Sequence, residues 1–448
     1  VSQKLKLQDI LGLGFMTFAF FLGAGNIIFP PKAGYMAGEH MSLAMLGFLI
    51  TGVGLPLLGI VAVAFARGGL PVMTRLLPSG VALLFGVVIN VTLGAALVCP
   101  RAGLVAYEMG IHPFFPGAGH GSLLLFSVLF FGLSTVLALT QGRLLDAIGK
   151  VLTPLLIILL LVLAFAVFIA PQGGTPAAVG DYVAYPFSTG FLQGYNTMDI
   201  FASLMFGMLI IDVLKARGVQ DGPSLFKYLA YAGIISAMGL VFVYLSLFYL
   251  GATSLGVAPA TANGGNIIAA YVMSLFGQPG LIILAAIVLL ACLTTAIGLI
   301  SASSDFLHQQ LGLMSYRKWV LLSGVCCILV SNVGLSELIK LSSPLLVFCY
   351  PLVITLVLLT FVRPKLARPE FTYKIVLGVG ALFSLCDGLR SIHSEFPGSP
   401  SWFALKFFDA VPLAEQGLAW VLPTAVTLLL CMLTLRFVQS KTACAVSG

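Results

Sequence analysis

The chain has 448 residues, of which 60% are hydrophobic and only 8% charged, and its mean hydropathy is +1.10. A soluble protein of this length needs far more charge to keep its surface wet, so the composition excludes an ordinary water-soluble fold. The formal charge of +7 sits mostly in short loops, which fits anionic lipid at a membrane surface and gives no reason to invoke nucleic acid. Uncharged runs of roughly 18 residues or more cross a bilayer. They recur throughout and predict an all-α polytopic membrane protein embedded in a lipid bilayer. Twelve spans are expected, at approximately 10–36, 41–66, 80–108, 122–142, 146–170, 197–215, 225–251, 279–308, 318–335, 338–362, 372–392 and 413–438. The lead "VSQKLKLQD" carries no signal-peptide cleavage pattern, so the first span is expected to remain as an anchor. With both termini cytoplasmic, only Lys32, Arg101, Lys340, Arg390 and Lys406 of the 22 Lys and Arg residues lie outside or near the outer face. That asymmetry is what positive-inside orientation requires.

The first span contains "FFLGAGNIIFPP", Phe20 to Pro31. Two glycines, the amide of Asn26 and two prolines in mid-bilayer predict a discontinuous helix, because broken backbone is tolerated there only when buried in protein or lining a cavity. The sixth span reads "GYNTMDIFASLMFG", with Asp199, Ser203 and Gly207 interrupting its apolar run, and its break is expected at Ser203 to Gly207. If spans 1–5 and 6–10 are two repeats, the two interrupted spans are counterparts. Paired interruptions of that kind point to a secondary transporter's binding site. The uncharged segment Leu255 to Gly277 is expected to form a helical outer lid turned by Gly264 and Gly265. The eighth span carries "LLACLTTAIGLISASSDF". Its adjacent hydroxyls, Thr294 and Thr295, are hard oxygen ligands suited to a small alkali cation.

Charges within spans are few. Arg101 is expected to snorkel or pair near the outer face, and with Asp199 it is a candidate gate. Asp305 and His308 are expected to meet inner-side cations, and Asp387 and Arg390 to form a local i, i+3 ion pair. The eight cysteines form no CxxC pair and read as small buried hydrophobes. There is no HExxH, GxSxG or phosphate-binding loop, so neither an enzyme nor a cofactor is expected.

The motifs of the first, sixth and eighth spans resemble the branched-chain amino acid:cation symporters of the amino acid–polyamine–organocation superfamily, over nearly the whole chain. The resemblance implies a leucine-transporter-like inverted 5+5 repeat with discontinuous helices 1 and 6. It would comprise a first repeat in 1–170, a second in 171–362, and two further spans with the tail in 363–448. It further implies a bacterial cytoplasmic (inner) membrane protein that imports leucine, isoleucine and valine with sodium as coupling ion. By that likeness, Ala24, Gly25 and Asn26 bind substrate together with Ser203, Phe206 and Gly207. The sodium ligands would be carbonyls of Ala19, Leu22 and Ala291 with the hydroxyls of Thr294 and Thr295. Asn26 would help hold a further sodium beside the substrate. The sixth span departs from the distant leucine transporter at Met205, where that relative has glycine. The rival reading within transport is proton coupling, for which Asp199 is the candidate carboxylate.

Overall fold

The computed structural model describes residues 5–115, 117, 119–139, 143–259, 263–400 and 406–446. Apolar chain with little side-chain hydrogen-bonding capacity must pair its backbone within itself, and the described residues accordingly form helices and no strands. In chain order these are α1 (Leu7–Phe21), α2 (Ala24–Ala37), α3 (Met41–Leu49), α4 (Leu55–Ala66), α5 (Leu70–Met73) and α6 (Ser79–Val91). They continue as α7 (Val98–Gly110), α8 (His120–Leu139), α9 (Arg143–Ile169), α10 (Pro186–Tyr195), α11 (Asp199–Ala216) and α12 (Gly222–Ala252). The last five are α13 (Gly264–Leu311), α14 (Tyr316–Ser331), α15 (Leu335–Val362), α16 (Pro369–Glu395) and α17 (Val421–Val446).

Among the described residues, seven helical stretches are long and apolar enough to cross a membrane, and the bent pair α10–α11 makes an eighth. Shorter apolar helices occupy Leu7–Phe21, Ile157–Ile169 and Val421–Leu433. Two of the seven are too long to be single spans. A 43-residue helix such as Ala24–Ala66 would measure about 65 Å, twice the hydrocarbon thickness. Gly38, at φ 47°, ends α2 and lets the chain turn toward α3. In α13 the break is at Gly277, with φ 62° and ψ −158°, followed by Pro279. This corrects the expected lid: Gly277 turns it. Gly264 instead opens the helix hard against α2, where a Cβ would fall on the Ile28 carbonyl.

Packing follows a regular exchange. The two halves of the first span, α1 and α2, lean on α12, while α10 and α11 lean on α3 and α4 respectively. At the centre α7 lies along α13, and α8 packs on α14. The approach of α2 to α12 is backbone on backbone. A Cβ at Gly34 would strike the Phe248 carbonyl, and one at Gly251 the Pro31 carbonyl. Between α6 and α7 the chain makes a wide turn over Thr92–Ala96, with Gly94 outside helical geometry. The carbonyl of Asn90 there accepts from the Ser303 hydroxyl of α13 at 2.9 Å, so α7 is tied to α13 and carried into the centre.

Candidate functional site

The first break is short and built from backbone. Leu22 N–H still bonds to the Phe18 carbonyl, but Gly23 N–H turns back onto Phe21 O at 2.7 Å. In a continuing helix that N–H would have served Ala19, whose carbonyl is thereby released. Gly23 is extended and has no side chain to cap α2, so the opening amides of Ala24, Gly25 and Asn26 remain available to a ligand. Pro30 and Pro31 lie inside α2. Lacking N–H groups, they leave the carbonyls of Asn26 and Ile27 without helical donors. The first turns of α2 thus present free donors and free acceptors together.

The second break lies upstream of its expected place. The segment Asn196–Met198 separates α10 from α11 with a 45° bend. Met198 takes the left-handed conformation at φ 59°, which is costly for a side-chain-bearing residue. Local hydrogen bonds offset that cost. Thr197 Oγ1 donates to Gly194 O at 2.9 Å and accepts from Asp199 N at 3.4 Å. The stretch Ser203 to Gly207 is unbroken helix: Ser203 Oγ donates to Ile200 O at 2.6 Å, and Gly207 packs on Val63 of α4. Both serve the seam with α4. Phe206 lies differently, its ring 5.2 Å from Phe20 and 5.7 Å from Phe21, against the end of α1.

Asp199 opens α11, where a carboxylate is favoured by the helix dipole. Its Oδ2 accepts from Asn26 Nδ2 at 2.6 Å and from Tyr244 OH at 3.2 Å, and the Asn26 amide also reaches Tyr244 OH at 2.5 Å. All three residues are buried. One polar cluster therefore joins the first break, the second break and α12. Asn26 spends its donors on Asp199 and Tyr244, an engagement the expected ion-holding role did not include. Tyr244 was missed by sequence reasoning, because nothing distinguishes it from the other three tyrosines of α12, Tyr228, Tyr231 and Tyr249.

Arg101 departs most from expectation. It is 2% exposed, buried on α7 against α2, and so does not snorkel to a surface. Its guanidinium carbon lies over the Phe29 ring, 5.1 Å from the centroid, and the group sits against Gly25, where a Cβ would lie 2.8 Å from Nη2. It shares this neighbourhood with Asp199, yet among the described residues the two form no ion pair within 4.0 Å. They do not make the expected direct gate contact.

The hydroxyls of Thr294 and Thr295 are half-buried, and both donate to Ala291 O, at 2.8 and 3.0 Å. Their lone pairs stay free for a cation, but the Ala291 carbonyl is occupied by these two bonds. The other half of the expected oxygen set, on α1, packs chiefly with α12. Remaining expectations are corrected by local partners. Asp305 accepts from Gln309 at 2.8 Å and His308 Nδ1 meets Met314 O at 2.8 Å, and among the described residues neither meets a cation. Arg390 pairs with Asp409 at 2.8 Å while Asp387 accepts from Ala419 N–H at 3.1 Å.

The sequence pattern of the family described as "Branched-chain amino acid transport protein" matches residues 6–438. The chain belongs to that family. It is 44% identical to the branched-chain amino acid transport system 2 carrier protein of Pseudomonas aeruginosa, covering 95% of this chain and 96% of that one. With the branched-chain amino acid permease BrnQ of Escherichia coli it shares 39% identity over 97% of each. With BraB of Bacillus subtilis it shares 36% over 94% of each. These relatives are named as permeases and carriers, so the family is one of transporters and not of enzymes. In fold the carrier resembles Mhp1, a nucleobase-cation-symport-1 family transporter solved in a closed conformation with bromovinylhydantoin bound. The TM-score is 0.61 at 15% identity, covering 96% of the carrier and 93% of that chain. The inward-facing conformation of Mhp1 gives a TM-score of 0.59 at 14% identity, covering 96% and 91%.

Proposed function

We propose that this protein is a sodium-coupled symporter that imports leucine, isoleucine and valine across the bacterial cytoplasmic membrane by alternating access. The observation that carries the reading is the joining of two helix breaks through Asn26, Asp199 and Tyr244. Free amides opening α2 suit the substrate carboxylate, and the carboxylate of Asp199 and the unserved carbonyls of α2 suit its ammonium. Phe206 with Phe20 and Phe21 supplies apolar surface for a branched side chain. Sodium would be held between the released Ala19 carbonyl, Leu22, and the Thr294 and Thr295 hydroxyls once α1 closes on α13, with the Ala291 carbonyl joining when the threonines turn to the ion. The packing exchange supports two inverted repeats within twelve spans: span one lies on span seven as span six lies on span two. With the basic loops cytoplasmic, α2 and α10 form the outer half-helices.

Ion and substrate then favour the occluded state together, and their coupling must be reciprocal. Leucine binding measured on the purified carrier across sodium concentrations tests this: affinity should rise at least tenfold with sodium and be indifferent to potassium. Equal affinity in both salts contradicts sodium coupling. A second reading has a specific observation behind it. Asp199 is a buried carboxyl group at the junction of both breaks, where gain or loss of a proton would act directly on the cluster. Leucine affinity that follows pH and ignores sodium would favour it.

A further inference from the structure

Among the described residues, Arg101 is a buried charge with no ion pair. A guanidinium stays protonated, and burying one unpaired is among the costliest arrangements a fold can hold. Its Nε and Nη1 are both buried without a hydrogen-bond partner among the described residues. Phe29 offers a cation–π contact at 5.1 Å from its ring centroid, which supplies no oxygen acceptor for these N–H groups. The carboxylate with which it shares the core, Asp199, is turned through Oδ2 to Asn26 and Tyr244. A structural arginine brings its acceptors with it; this one has donors that the described residues do not satisfy.

Its position says what would satisfy those donors. Gly25 leaves the guanidinium against the first turn of α2, where a Cβ would lie 2.8 Å from Nη2 and 3.3 Å from the Asn196 carbonyl. Free backbone amides and an unpaired guanidinium thus converge on one place, and both call for an anion. A planar guanidinium meets a carboxylate with two N–H groups at once. A cavity of about 440 Å³ has Asn196 in its lining, and the Asn196 carbonyl is a neighbour of Gly25; Arg101 itself does not line it.

We propose that Arg101 receives the carboxylate of the transported amino acid, beside the amides of Ala24 and Gly25, and so sets the carrier's demand for an α-carboxylate. This rests on the amino acid transport reading above and names a side chain within it. The test uses the purified full-length carrier at saturating sodium and about pH 6.5, where leucine and leucinamide both keep a protonated amine. Wild type should bind leucine about 100-fold or more tightly than leucinamide. In Arg101→Gln, leucine affinity should fall about 100-fold while leucinamide changes less than threefold, so the discrimination collapses. Because an unpaired buried charge is removed, ligand-free Arg101→Gln should melt no lower than wild type, but leucine should no longer raise its melting temperature. Gly25→Ala, which keeps the charge but displaces it, should cost leucine more than leucinamide. Discrimination retained in Arg101→Gln overturns the proposal, as does an equal loss of both ligands. Wild type that binds leucine while Arg101→Gln keeps its preference removes only this assignment; wild type that binds no branched-chain amino acid removes the transport reading with it.

Discussion

At the scale of residues, Asn26, Asp199 and Tyr244 hold two broken helices and α12 together through three hydrogen bonds. Hydrogen bonds to a charged group contribute about 1.5–3 kcal/mol each, and stranding a buried partner costs the full desolvation. Asn26→Leu keeps the branched shape and removes the amide, so leucine affinity should fall about 100-fold, read by equilibrium binding. Tyr244→Phe deletes one hydroxyl and should cost about tenfold; unaltered affinity in that variant would remove Tyr244 from the cluster. Sequence alone located Asn26, because an amide side chain directly after Gly23 and Gly25 in mid-span must find its partners inside the protein. It misplaced Arg101, since a cation within a span is ordinarily read as snorkelling to the nearer surface. What draws this one inward is the wide turn over Thr92–Ala96 and the hold of Ser303 on Asn90, neither visible as a pattern.

At the scale of elements, the two breaks differ in how they are made, and that explains why only one was legible. The first is made by glycine and flanked by prolines, residues whose backbone limits are read directly. The second is made by Asn196, Thr197 and Met198, with the left-handed turn on a methionine and the support coming from a threonine hydroxyl. No propensity marks such a turn, so the more polar-looking Ser203 and Gly207 attracted the assignment although they serve the seam with α4. The eighth-span threonines carry a separable prediction. Thr294→Ala and Thr295→Ala should each raise the sodium concentration for half-maximal uptake about tenfold while leaving leucine affinity at saturating sodium within threefold. Unchanged sodium dependence in both would remove these hydroxyls from the ion's path. Helix approach is testable as well. Gly34→Ala drives a methyl into the Phe248 backbone, which cannot yield as a side chain does, and should destabilise by about 3 kcal/mol. Gly298→Ala meets open space and should leave the melting temperature within a degree or two.

At the scale of the whole molecule, the helical, membrane-spanning character was readable from composition and run length, because lipid leaves the backbone so few alternatives. The relation between the halves was not readable from any single run. The packing of helices far apart in the chain shows only in the fold: α1 and α2 on α12, α10 and α11 on α3 and α4, α7 along α13. On the proposed reading of two inverted repeats, one set of these contacts would be exchanged for its counterpart as a central site opens to either face in turn. The gradient that powers the exchange is tested most directly in proteoliposomes containing the purified carrier. Leucine should accumulate against its own gradient when sodium is higher outside, and should only equilibrate when sodium is equal on both sides and a proton gradient alone is imposed. Accumulation driven by protons, with none driven by sodium, would contradict the central claim.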